Sequence, residues 1–491
     1  MAAGYEDWQA LLAELDTRTA RGTAMGGEAR IERQHQRGRL TARERVDAFC
    51  DPHSFAEIGA LAGGQHPGTG ESVPADGLVG GTAKVNGKDI VLLVEDFTVL
   101  GGSIGHVNAA KRARLVRLAG ELSLPLVMML EGAGERAGNT GERYPVAPSD
   151  LQLLADVQGK VPVICLVLGN SAGHGALCGM FADVLIMTRD AALFSAGPPL
   201  VQAATGQQVD ATELGGSDVH VRASGVAHQL AESETAAFDQ ARYLLSMLPS
   251  AAGQPLPLFD PPETVSDRED MLEIIPVAVD RAYDVHKVIE RLVDARSFFE
   301  LQPGFGTSLV VGLARIDGMS CLVMANQPSV LAGAITADAA RKATHFLEMG
   351  SRFGLPLLSL VDNPGVMPGP AAERSGVLRE AARMFAAQRR YAGRKLVVTL
   401  RKAFGFGSSV MGMNPWDRQV ISLALPGVTL AGIPVIGGAE AARADAATAQ
   451  QMAANQSGAW VPADAMAFDR VVDPRDLRRE IAAAIWQGVQ R

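Results

Sequence analysis

Short apolar runs alternate with longer amphipathic stretches along most of the chain. In the first half, the runs 90–94, 126–130 and 163–168 are rich in Val, Ile and Leu, and the amphipathic stretch 107–122 separates the first two. Apolar runs of this length predict buried strands, whereas a period near 3.6 residues predicts a helix. The pattern therefore predicts βαβ units and an α/β fold.

The same pattern occurs twice. GGTAKVNGKDIVLLVEDFTVLGGSIGHVNAAKRARLVRLAGELSLPLVMMLEGAGERAG matches, without a gap, VGLARIDGMSCLVMANQPSVLAGAITADAARKATHFLEMGSRFGLPLLSLVDNPGVMPG. This match places Lys111 on Lys342 and Gly134 on Gly365. Shorter similarities extend it: DPHSFAEI resembles DARSFFEL, and VICLVLGNSAGHG lies over LVVTLRKAFGFGS. A period of about 235 residues is too long for a solenoid and predicts two copies of one domain.

The join between the copies is predicted in GQPLPLFDPPETVSDRED, residues 253–270, where proline and charge replace the apolar periodicity. We expect an N-terminal domain over 1–255 and a C-terminal domain over 256–491. The alternative is that two unrelated α/β segments share a strand-and-helix pattern by chance.

Composition and charge exclude several classes of protein. The 491 residues are 47% hydrophobic, 20% charged and 5% aromatic, which suits a folded α/β protein. A net charge of -9 with scattered Lys and Arg argues against a nucleic-acid surface. The four cysteines lie far apart and predict reduced thiols, with neither a disulfide frame nor a metal site. No apolar run approaches the roughly 18 residues of a membrane span, so we expect a soluble, cytoplasmic protein without a signal peptide.

Glycine-rich turns follow the predicted strands at matched places in both copies. The turns 131–134 and 169–176 follow LVMML and VICLVL, and the turns 362–366 and 402–408 follow LLSLV and LVVTL. Glycine lets backbone N–H groups point into a cleft, so two such turns can hold an oxyanion between them. A single turn of this kind commonly serves packing alone, but two matched pairs indicate two oxyanion sites.

Longer motifs resemble a known family. GRLTARERVDAFCDPHSFAEIGALAG, ADGLVGGTAKVNG and GNSAGHGAL resemble the carboxyltransferase (beta) subunits of biotin-dependent acyl-CoA carboxylases. FSAGPPLVQAATGQQVDATELGGSDVHVRASGVAH looks most like the methylcrotonyl-CoA type, whereas NQPSVLAGAI and RKAFGFGSSVMG look more like the propionyl-CoA type. The resemblance implies an α/β fold of two tandem homologous crotonase-like (ClpP/crotonase) βαβ domains. In that family CoA is held mainly by the first domain and biotin mainly by the second, with active sites between domains of different protomers.

The resemblance also implies a reaction. A carboxyl group moves from carboxybiotin to the α (or vinylogous γ) carbon of a CoA thioester, so a thioester enolate and a biotin ureido enolate both need stabilisation. The ureido group can itself take the α-proton, so no side-chain base is required. The residues assigned to the acyl hole are Gly134, Gly173 and His174, and those assigned to the biotin hole are Gly365 or Val366 with Phe406 and Gly407.

Further residues are assigned to ligand binding. Ala133 and Pro364 lie in the same loops, and Lys111 and Arg114 can meet the CoA phosphates or form a solvated basic helix face. Ser409 falls where the family carries a residue linked to the choice of acyl chain. His174 and Phe406 both replace a residue that is usually glycine in the family, so their side chains are expected to reshape the two pockets.

Partners follow from what the motifs lack. Neither a biotinylation site nor the ATP-binding loop of a biotin carboxylase occurs, so biotin is expected on a partner chain, a biotin carboxylase or biotin carboxyl carrier subunit. The family resemblance implies a homo-hexamer.

Other readings remain open. One is a malonyl-CoA or methylmalonyl-CoA decarboxylase that runs the same enolate chemistry in reverse, and another is a noncatalytic assembly or regulatory paralogue. Glu131 can act as a general acid or base, as in enoyl-CoA hydratases, or it can cap a helix or pair with Arg136. His174 can shuttle protons, or it can serve packing and hydrogen bonding in its turn.

Overall fold

The computed structural model describes residues 3–64, 70–136, 149–260, 268–414, 417–432, 445, 447–448 and 456–487. The chain divides into two compact units, Met1–Ala252 and Gly253–Arg491. The division lies a few residues before the expected boundary at 255/256. None of the helices in the described ranges is long and apolar enough to cross a membrane, and all four cysteines are free thiols.

The N-terminal unit contains nine α-helices and eight strands within the described residues. The helices are α1 (Ala3–Thr23), α2 (Glu28–Gln36), α3 (Ala42–Phe49), α4 (His106–Leu122), α5 (Asp150–Val157), α6 (Gly173–Gly179), α7 (Pro198–Thr205), α8 (Ala211–Gly215) and α9 (Glu234–Met247). The strands are β1 (Ala56–Glu57), β2 (Leu78–Val85), β3 (Lys88–Glu95), β4 (Leu126–Gly132), β5 (Val163–Ala172), β6 (Val184–Thr188), β7 (Ala192–Phe194) and β8 (Gln229–Ala231).

The C-terminal unit repeats this order. Its helices in the described ranges are α10 (Met271–Ile274), α11 (Val285–Leu292), α12 (Ala337–Arg352), α13 (Pro370–Arg374), α14 (Val377–Arg389), α15 (Gly405–Val410), α16 (Trp460–Asp464) and α17 (Leu477–Trp486). Its strands are β9 (Phe299–Leu301), β10 (Leu309–Ile316), β11 (Met319–Asn326), β12 (Leu357–Asn363), β13 (Lys395–Phe404), β14 (Gln419–Ala424), β15 (Thr429–Ala431) and β16 (Arg470–Val471).

Each unit forms one mixed sheet of eight strands. The strand order is β1-β2-β3-β4-β5-β6-β8 in the first unit and β16-β14-β13-β12-β11-β10-β9 in the second, and β7 and β15 pair with β5 and β13. An antiparallel hairpin, β2–β3 or β10–β11, leads into parallel strands joined by helices. Two such units confirm the predicted α/β class and the tandem crotonase-like domains.

The hairpin turns of the two units have the same conformation and the same hydrogen bonds, which explains why their sequences remain similar. Asn86-Gly87 and Asp317-Gly318 all have positive φ angles, 49° and 79° in the first turn and 50° and 79° in the second. This conformation favours Asn, Asp and Gly, which are the residues present. In each unit a carboxylate of the repeated DPHSF or DARSF segment accepts both N–H groups of the turn, Asp51 at 2.8 and 2.7 Å and Asp294 at 2.9 Å for each.

Strand pairing fixes which residues of the two units correspond. Leu126 in β4 pairs with Val163 in β5, and its counterpart Leu357 in β12 pairs with Lys395 in β13. Val163 therefore corresponds to Lys395, and the shorter similarity that set VICLVLGNSAGHG over LVVTLRKAFGFGS is wrong by one residue.

Candidate active site

Two loops meet at the end of the N-terminal sheet. After an irregularity in the β4–β5 pairing, Gly132 lies opposite Ser171, and Gly134 follows with φ of 81°. A Cβ atom on Gly134 would lie 2.7 Å from the carbonyl oxygen of Ala172. The loop after β4 is thus packed against the start of α6, and only glycine fits at its closest point.

The backbone N–H groups of these loops are partly committed. Ala133 donates its N–H to the carbonyl of Gly101 at 2.9 Å, and the carbonyl of Gly134 accepts from Ile104 at 2.8 Å. The N–H groups of Gly173 and His174 lie in the first turn of α6, where no intrahelical acceptor exists. The structure therefore brings together the predicted acyl-hole residues Gly134, Gly173 and His174, whereas Ala133 is exposed with its N–H already used.

The C-terminal unit builds the same junction with one difference. Gly365, with φ of 125°, donates its N–H to Oδ1 of Asn363 at 2.7 Å. Of the two predicted alternatives, the N–H of Gly365 is therefore already used in a hydrogen bond, and the N–H of Val366 is the candidate donor to the oxyanion. A Cβ atom on Gly407 would lie 2.8 Å from Cα of Gly365, so these two loops also meet. Pro364 has no N–H to offer.

The corrected correspondence changes the second pair of donors. Gly173 and Gly405 begin their helices with the same φ of 56°, so His174 corresponds to Phe406, and Gly407 corresponds to Gly175. The counterpart of the Gly173–His174 pair is Gly405 with Phe406, one residue earlier than predicted. The Phe406 side chain is 53% exposed, whereas that of His174 is 21% exposed.

Glu131 is held in a buried ionic network. Its carboxylate is fully buried and lies 2.6 Å from Arg45 and 2.9 Å from Arg39, and it accepts a hydrogen bond from Gln34 at 2.7 Å. The prediction that it pairs with Arg136 is wrong, because Arg136 lies 2.7 Å from Asp76 instead. A carboxylate held by two guanidinium groups is poorly suited to exchange protons, so the hydratase alternative has no support here.

Asp362 occupies the position of Glu131 in the C-terminal unit. It is fully buried and lies 3.1 Å from Arg401 and 3.5 Å from Lys402, both on the neighbouring strand β13. Burial lowers the pKa of Lys402, and Asp362 opposes that effect. Each loop pair therefore begins beside a neutralised carboxylate.

The assignment of Lys111 to the CoA phosphates is wrong. Lys111 is buried, its ammonium donates to the carbonyl of Leu78, and it lies 3.9 Å from Glu57. Burial lowers its pKa to about 8. Arg114 is exposed and lies 3.4 Å from Glu121, which is the solvated basic face that was the alternative.

A cluster of arginines that sequence reasoning missed lies beside the first loop. A cavity of about 280 Å³ is lined by Arg30, Arg33 and Arg37 together with Phe97 and Gly101. The guanidinium of Arg37 lies 5.5 Å from the centre of the Phe97 ring. The signal was present as arginines at i, i+3 and i+7 of RIERQHQR, residues 30–37, a spacing that sets three positive charges on one helix face.

His174 is anchored by its side chain. Its Nε2 lies 2.7 Å from Oδ1 of Asp150, and Sγ of Cys178 donates to Oδ2 of the same carboxylate at 3.4 Å. Burial alone would raise the pKa of Asp150, but the hydrogen bond with His174 and the charge of Arg112 hold it below its usual value. Burial raises the pKa of the Cys178 thiol well above its usual value.

Ser409 lies in α15 and is partly buried. Its hydroxyl donates to Oδ1 of Asn414 at 2.8 Å, and its carbonyl accepts from Gln388 at 3.1 Å. Its hydroxyl is therefore engaged by a neighbour in its own unit, and its predicted influence on the acyl chain stays a prediction.

Comparison with known proteins identifies the family. The profile of the carboxyl transferase domain matches residues 33–486, almost the whole chain. The chain belongs to the carboxyl transferase family. This membership confirms the resemblance found in the motifs and the predicted enzyme class, an acyl-CoA carboxyltransferase.

Individual relatives span most of the chain. It is 34% identical over 480 residues to the methylmalonyl-CoA carboxyltransferase 12S subunit of Propionibacterium freudenreichii subsp. shermanii, covering 94% of this chain and 91% of that one. It is 35% identical over 432 residues to the biotin-dependent acetyl-/propionyl-coenzyme A carboxylase beta5 subunit of Mycobacterium leprae, covering 86% and 78%. A methylmalonyl-CoA decarboxylase subunit alpha of Veillonella parvula is 33% identical over 396 residues, covering 80% and 78%.

A solved structure has the same fold. The transcarboxylase 12S hexamer, crystallised with methylmalonyl-coenzyme A and methylmalonic acid, superposes with a TM-score of 0.91 at 32% identity and covers 98% of this chain and 95% of that one.

Proposed function

We propose that this chain is the carboxyltransferase subunit of a biotin-dependent acyl-CoA carboxylase, and that it moves a carboxyl group between carboxybiotin and the α (or vinylogous γ) carbon of a CoA thioester. The observation that carries the proposal is the duplicated loop pair, in which Gly134 meets the start of α6 and Gly365 meets the start of α15. A reaction with two developing oxyanions needs two sets of fixed N–H donors. A reaction with only one developing oxyanion would not need the second set of N–H donors.

The N-terminal unit is proposed to hold the acyl thioester. The N–H groups of Gly134, Gly173 and His174 would stabilise the thioester oxygen as negative charge develops on it. In mutated enzymes, loss of one such donor costs about 10²- to 10³-fold in kcat. Glu131, the carboxylate at the start of this loop, is neutralised by Arg39 and Arg45, so it does not repel an enolate.

The C-terminal unit is proposed to hold the ureido group of biotin. The candidate donors are the N–H groups of Val366, Gly405 and Phe406, with Gly407 leaving room for the loop of Gly365. The exposed phenyl ring of Phe406 offers an apolar surface beside them. Asp362 is paired with Arg401 and Lys402, so the second site also starts from a neutralised carboxylate.

The transfer balances without a side-chain base. Biotin held at the second loop would supply the carboxyl group in the carboxylating direction, and its ureido nitrogen would accept the α-proton in exchange, so that the α-carbon gains the carboxyl group as it loses the proton. In the reverse direction biotin would accept the carboxyl group and supply the proton to the α-carbon. The chain's own contribution is to orient both partners and stabilise both anions.

The cavity lined by Arg30, Arg33 and Arg37 is proposed to receive the phosphates of CoA. It carries three guanidinium groups, which suit phosphate oxygens, and Phe97 offers a ring for stacking. Gly101, which lines it, accepts a hydrogen bond from Ala133, so the cavity adjoins the loop that leads to Gly134. This proposal replaces Lys111 as the phosphate ligand.

The proposed partners follow from the same reading. Biotin is carried by a partner chain, a biotin carboxylase or biotin carboxyl carrier subunit, and the enzyme works in the cytoplasm. We extend to this chain the hexameric assembly named for the transcarboxylase 12S structure.

The reverse reaction tests the function without an identified partner. The protein is incubated with methylmalonyl-CoA, malonyl-CoA or 3-methylglutaconyl-CoA, with and without biocytin, and the decarboxylated acyl-CoA is quantified by chromatography. Product that depends on biocytin supports the proposal. Equal product without biocytin overturns it in favour of a decarboxylase that needs no biotin. A methylmalonyl-CoA decarboxylase is the second candidate, because the chain is 33% identical to a subunit of that name from Veillonella parvula. No product from any of the three thioesters overturns it in favour of a noncatalytic subunit.

A second comparison tests the phosphate site. We expect Arg37→Ala to raise KM for methylmalonyl-CoA about tenfold, the equivalent of one charge-assisted contact of about 1.4 kcal/mol. The same variant should leave KM unchanged for methylmalonyl-pantetheine, which lacks the nucleotide phosphates. Arg114→Ala, on the exposed face of α4, is the matched control. An equal rise in KM for both thioesters would contradict the assignment.

A further inference from the structure

Three side chains of metal-binding type converge where α5 and α6 begin. His174 and Cys178 stand at positions i and i+4 of α6, a spacing that sets two ligands on one face of a helix. Asp150, the first residue of α5, contacts both: Nε2 of His174 lies 2.7 Å from its Oδ1, and Sγ of Cys178 lies 3.4 Å from its Oδ2. One ligand atom of each residue lies within 4.8 Å of those of the other two, and no other trio of His, Cys, Asp and Glu in the described part of the chain meets this distance.

The cluster of Asp150, His174 and Cys178 is enclosed by the N-terminal unit. The relative exposure of Asp150 is 1% and that of Cys178 is 0%, whereas the side chain of His174 is 21% exposed. The imidazole therefore marks the side from which an ion can enter. A carboxylate, an imidazole and a thiolate together are typical of zinc, which binds oxygen, nitrogen and sulphur. Calcium and magnesium ions prefer oxygen ligands alone.

The interatomic distances fit a zinc ion after a small movement of one ring. Zinc–ligand distances of about 2.0–2.3 Å place a nitrogen and an oxygen ligand of a tetrahedral site about 3.4 Å apart, and a sulphur and an oxygen ligand about 3.6 Å apart. The distance between Sγ of Cys178 and Oδ2 of Asp150 is close to that value, at 3.4 Å. The distance between Nε2 of His174 and Oδ1 is 2.7 Å, so the imidazole has to withdraw by about 0.7 Å to admit the ion. The ring is partly exposed and has room on the solvent side for this movement.

The buried charges around the cluster leave one negative charge to be balanced. The charge of Arg112 reaches Asp150, but Arg112 is bonded to the buried carboxylate of Glu95, so these two charges cancel. With a neutral imidazole and a protonated thiol, the carboxylate of Asp150 has no counter-charge in the interior. A zinc ion that displaces the thiol proton supplies two positive charges and removes one, which restores neutrality. An imidazolium would balance the same charge, and the metal content of the protein separates the two cases.

We propose that Asp150, His174 and Cys178 bind a zinc ion through a carboxylate oxygen, Nε2 and Sγ, with a fourth position left for water or another ligand. On binding, the thiol releases its proton to solvent, and Nε2 uses its lone pair while the imidazole keeps a proton on Nδ1. The ion joins the start of α5 to α6. This inference goes beyond the proposed function, because zinc binding does not depend on biotin or on a thioester. It differs from the expectation drawn from the cysteine spacing, since two of the three ligands are not cysteines.

The test measures zinc in the full-length protein, produced without a polyhistidine tag. The protein is incubated with zinc chloride, desalted and analysed by inductively coupled plasma mass spectrometry. We expect about one zinc ion per chain in the wild type. With Co²⁺ in place of zinc, the protein should show the visible bands of a tetrahedral site and a near-ultraviolet thiolate-to-cobalt band. Zinc far below one ion per chain, or cobalt bound without the thiolate band, overturns the inference.

Variants of the ligands assign the ion to this cluster. We expect Cys178→Ala and Asp150→Asn each to weaken zinc binding at least about 100-fold, since the loss of a mere outer-shell partner already costs 10- to 100-fold. The affinity is measured by competition with a chromophoric chelator, after circular dichroism has shown that each variant is folded. Cys165→Ala, which removes another fully buried thiol of the same unit, is the matched control and should bind zinc like the wild type.

Two further outcomes would contradict the assignment. They are wild-type zinc affinity in both Cys178→Ala and Asp150→Asn, and an equal loss of affinity in Cys165→Ala. If a ligand variant does not fold, alkylation of the wild type decides: zinc should protect Cys178 from iodoacetamide and leave the alkylation of Cys165 unchanged. Protection of both thiols or of neither overturns the inference. None of these measurements uses the carboxyl transfer, so the inference and the proposed function can fail separately.

Discussion

The two units solve one electrostatic problem with different parts of the chain. In the N-terminal unit, the carboxylate at the end of β4 is neutralised by Arg39 and Arg45, which come from the segment of α2 and α3. In the C-terminal unit, Asp362 is neutralised by Arg401 on the strand next to it. The counter-charge of the acyl loop therefore comes from residues distant in sequence, whereas that of the second loop comes from the adjacent strand. The two copies have kept the same loop geometry, but the residues that neutralise the carboxylate beside each loop differ.

The largest expected effect tests this difference in support. We expect Glu131→Gln to cost about 3–5 kcal/mol in the free energy of unfolding, because an amide no longer neutralises the buried guanidinium of Arg45, which it shares with Glu234, or the half-buried guanidinium of Arg39. Asp362→Asn should cost less, about 1–3 kcal/mol, since Arg401 also donates to the carbonyls of Ala278 at 2.7 Å and Arg281 at 2.6 Å. Urea unfolding of both variants measures the two costs.

The same pair of variants bears on catalysis. If Glu131 only supports the loop, the folded fraction of Glu131→Gln should keep kcat within about tenfold of the wild type. Loss of a general acid or base costs about 10²- to 10⁴-fold, so a loss of that size in fully folded protein would restore the hydratase-like role. Equal stability costs for the two variants would contradict the difference in support.

How much of this was predictable depends on the range of the interactions. The ungapped repeat placed Gly134 on Gly365, because the hairpin, the helix and the strand each carry a local periodicity that survives divergence. The pairing of β4 with β5 and of β12 with β13 bears this out. Local pattern was sufficient up to the first loop of each unit.

The second loop shows where local pattern fails. Setting VICLVLGNSAGHG over LVVTLRKAFGFGS follows apolar character and aligns no identical residues, whereas the register one residue earlier aligns Leu168 with Leu400, Gly173 with Gly405 and Gly175 with Gly407. The strand pairing and the shared φ of Gly173 and Gly405 confirm the second register. A one-residue shift moved Phe406 from its true counterpart, His174, to Gly173.

Charged residues were the least predictable. Lys111 on an amphipathic helix read as an exposed cation, but the fold places it against a strand carbonyl. The partners of Glu131 lie some ninety residues away, and no spacing rule connects them. Burial of a charge is decided by tertiary contacts, which sequence periodicity does not encode.

The next effect compares the two loop glycines. A Cβ atom on Gly134 would lie 2.7 Å from a carbonyl oxygen, whereas the nearest atom to one on Gly365 is 3.9 Å away. We expect Gly134→Ala to lower kcat of the biocytin-dependent reaction at least 100-fold, about 3 kcal/mol. Gly365→Ala should lower it about tenfold, through backbone strain alone.

A control isolates the strain. Gly354 also has a positive φ, 70°, with no atom within 4 Å of an added Cβ, so Gly354→Ala reports the cost of the conformation away from either loop. We expect it to leave kcat unchanged. Equal losses in Gly134→Ala and Gly365→Ala, or a larger loss in the second, would contradict the closer packing of the acyl loop.

The smallest expected effect is a pH-dependent change in stability caused by one buried lysine in each copy. Lys111 and Lys342 are equivalent, and burial lowers the pKa of each to about 8. An unfolded lysine has a pKa near 10.4, so between about pH 8 and 10 the unfolded chain binds more protons than the folded one. The free energy of unfolding therefore rises with pH across this window, by about 1–2 kcal/mol per lysine between pH 7.5 and 9.5.

Urea unfolding at the two pH values should show a smaller rise in the free energy of unfolding for Lys342→Met and for Lys111→Met than for the wild type. Lys84→Met, which removes an exposed lysine 2.8 Å from Asp89, should keep the wild-type rise. A smaller rise in only one of the two buried-site variants would show that the copies have diverged in their cores as well as in the support of their loops.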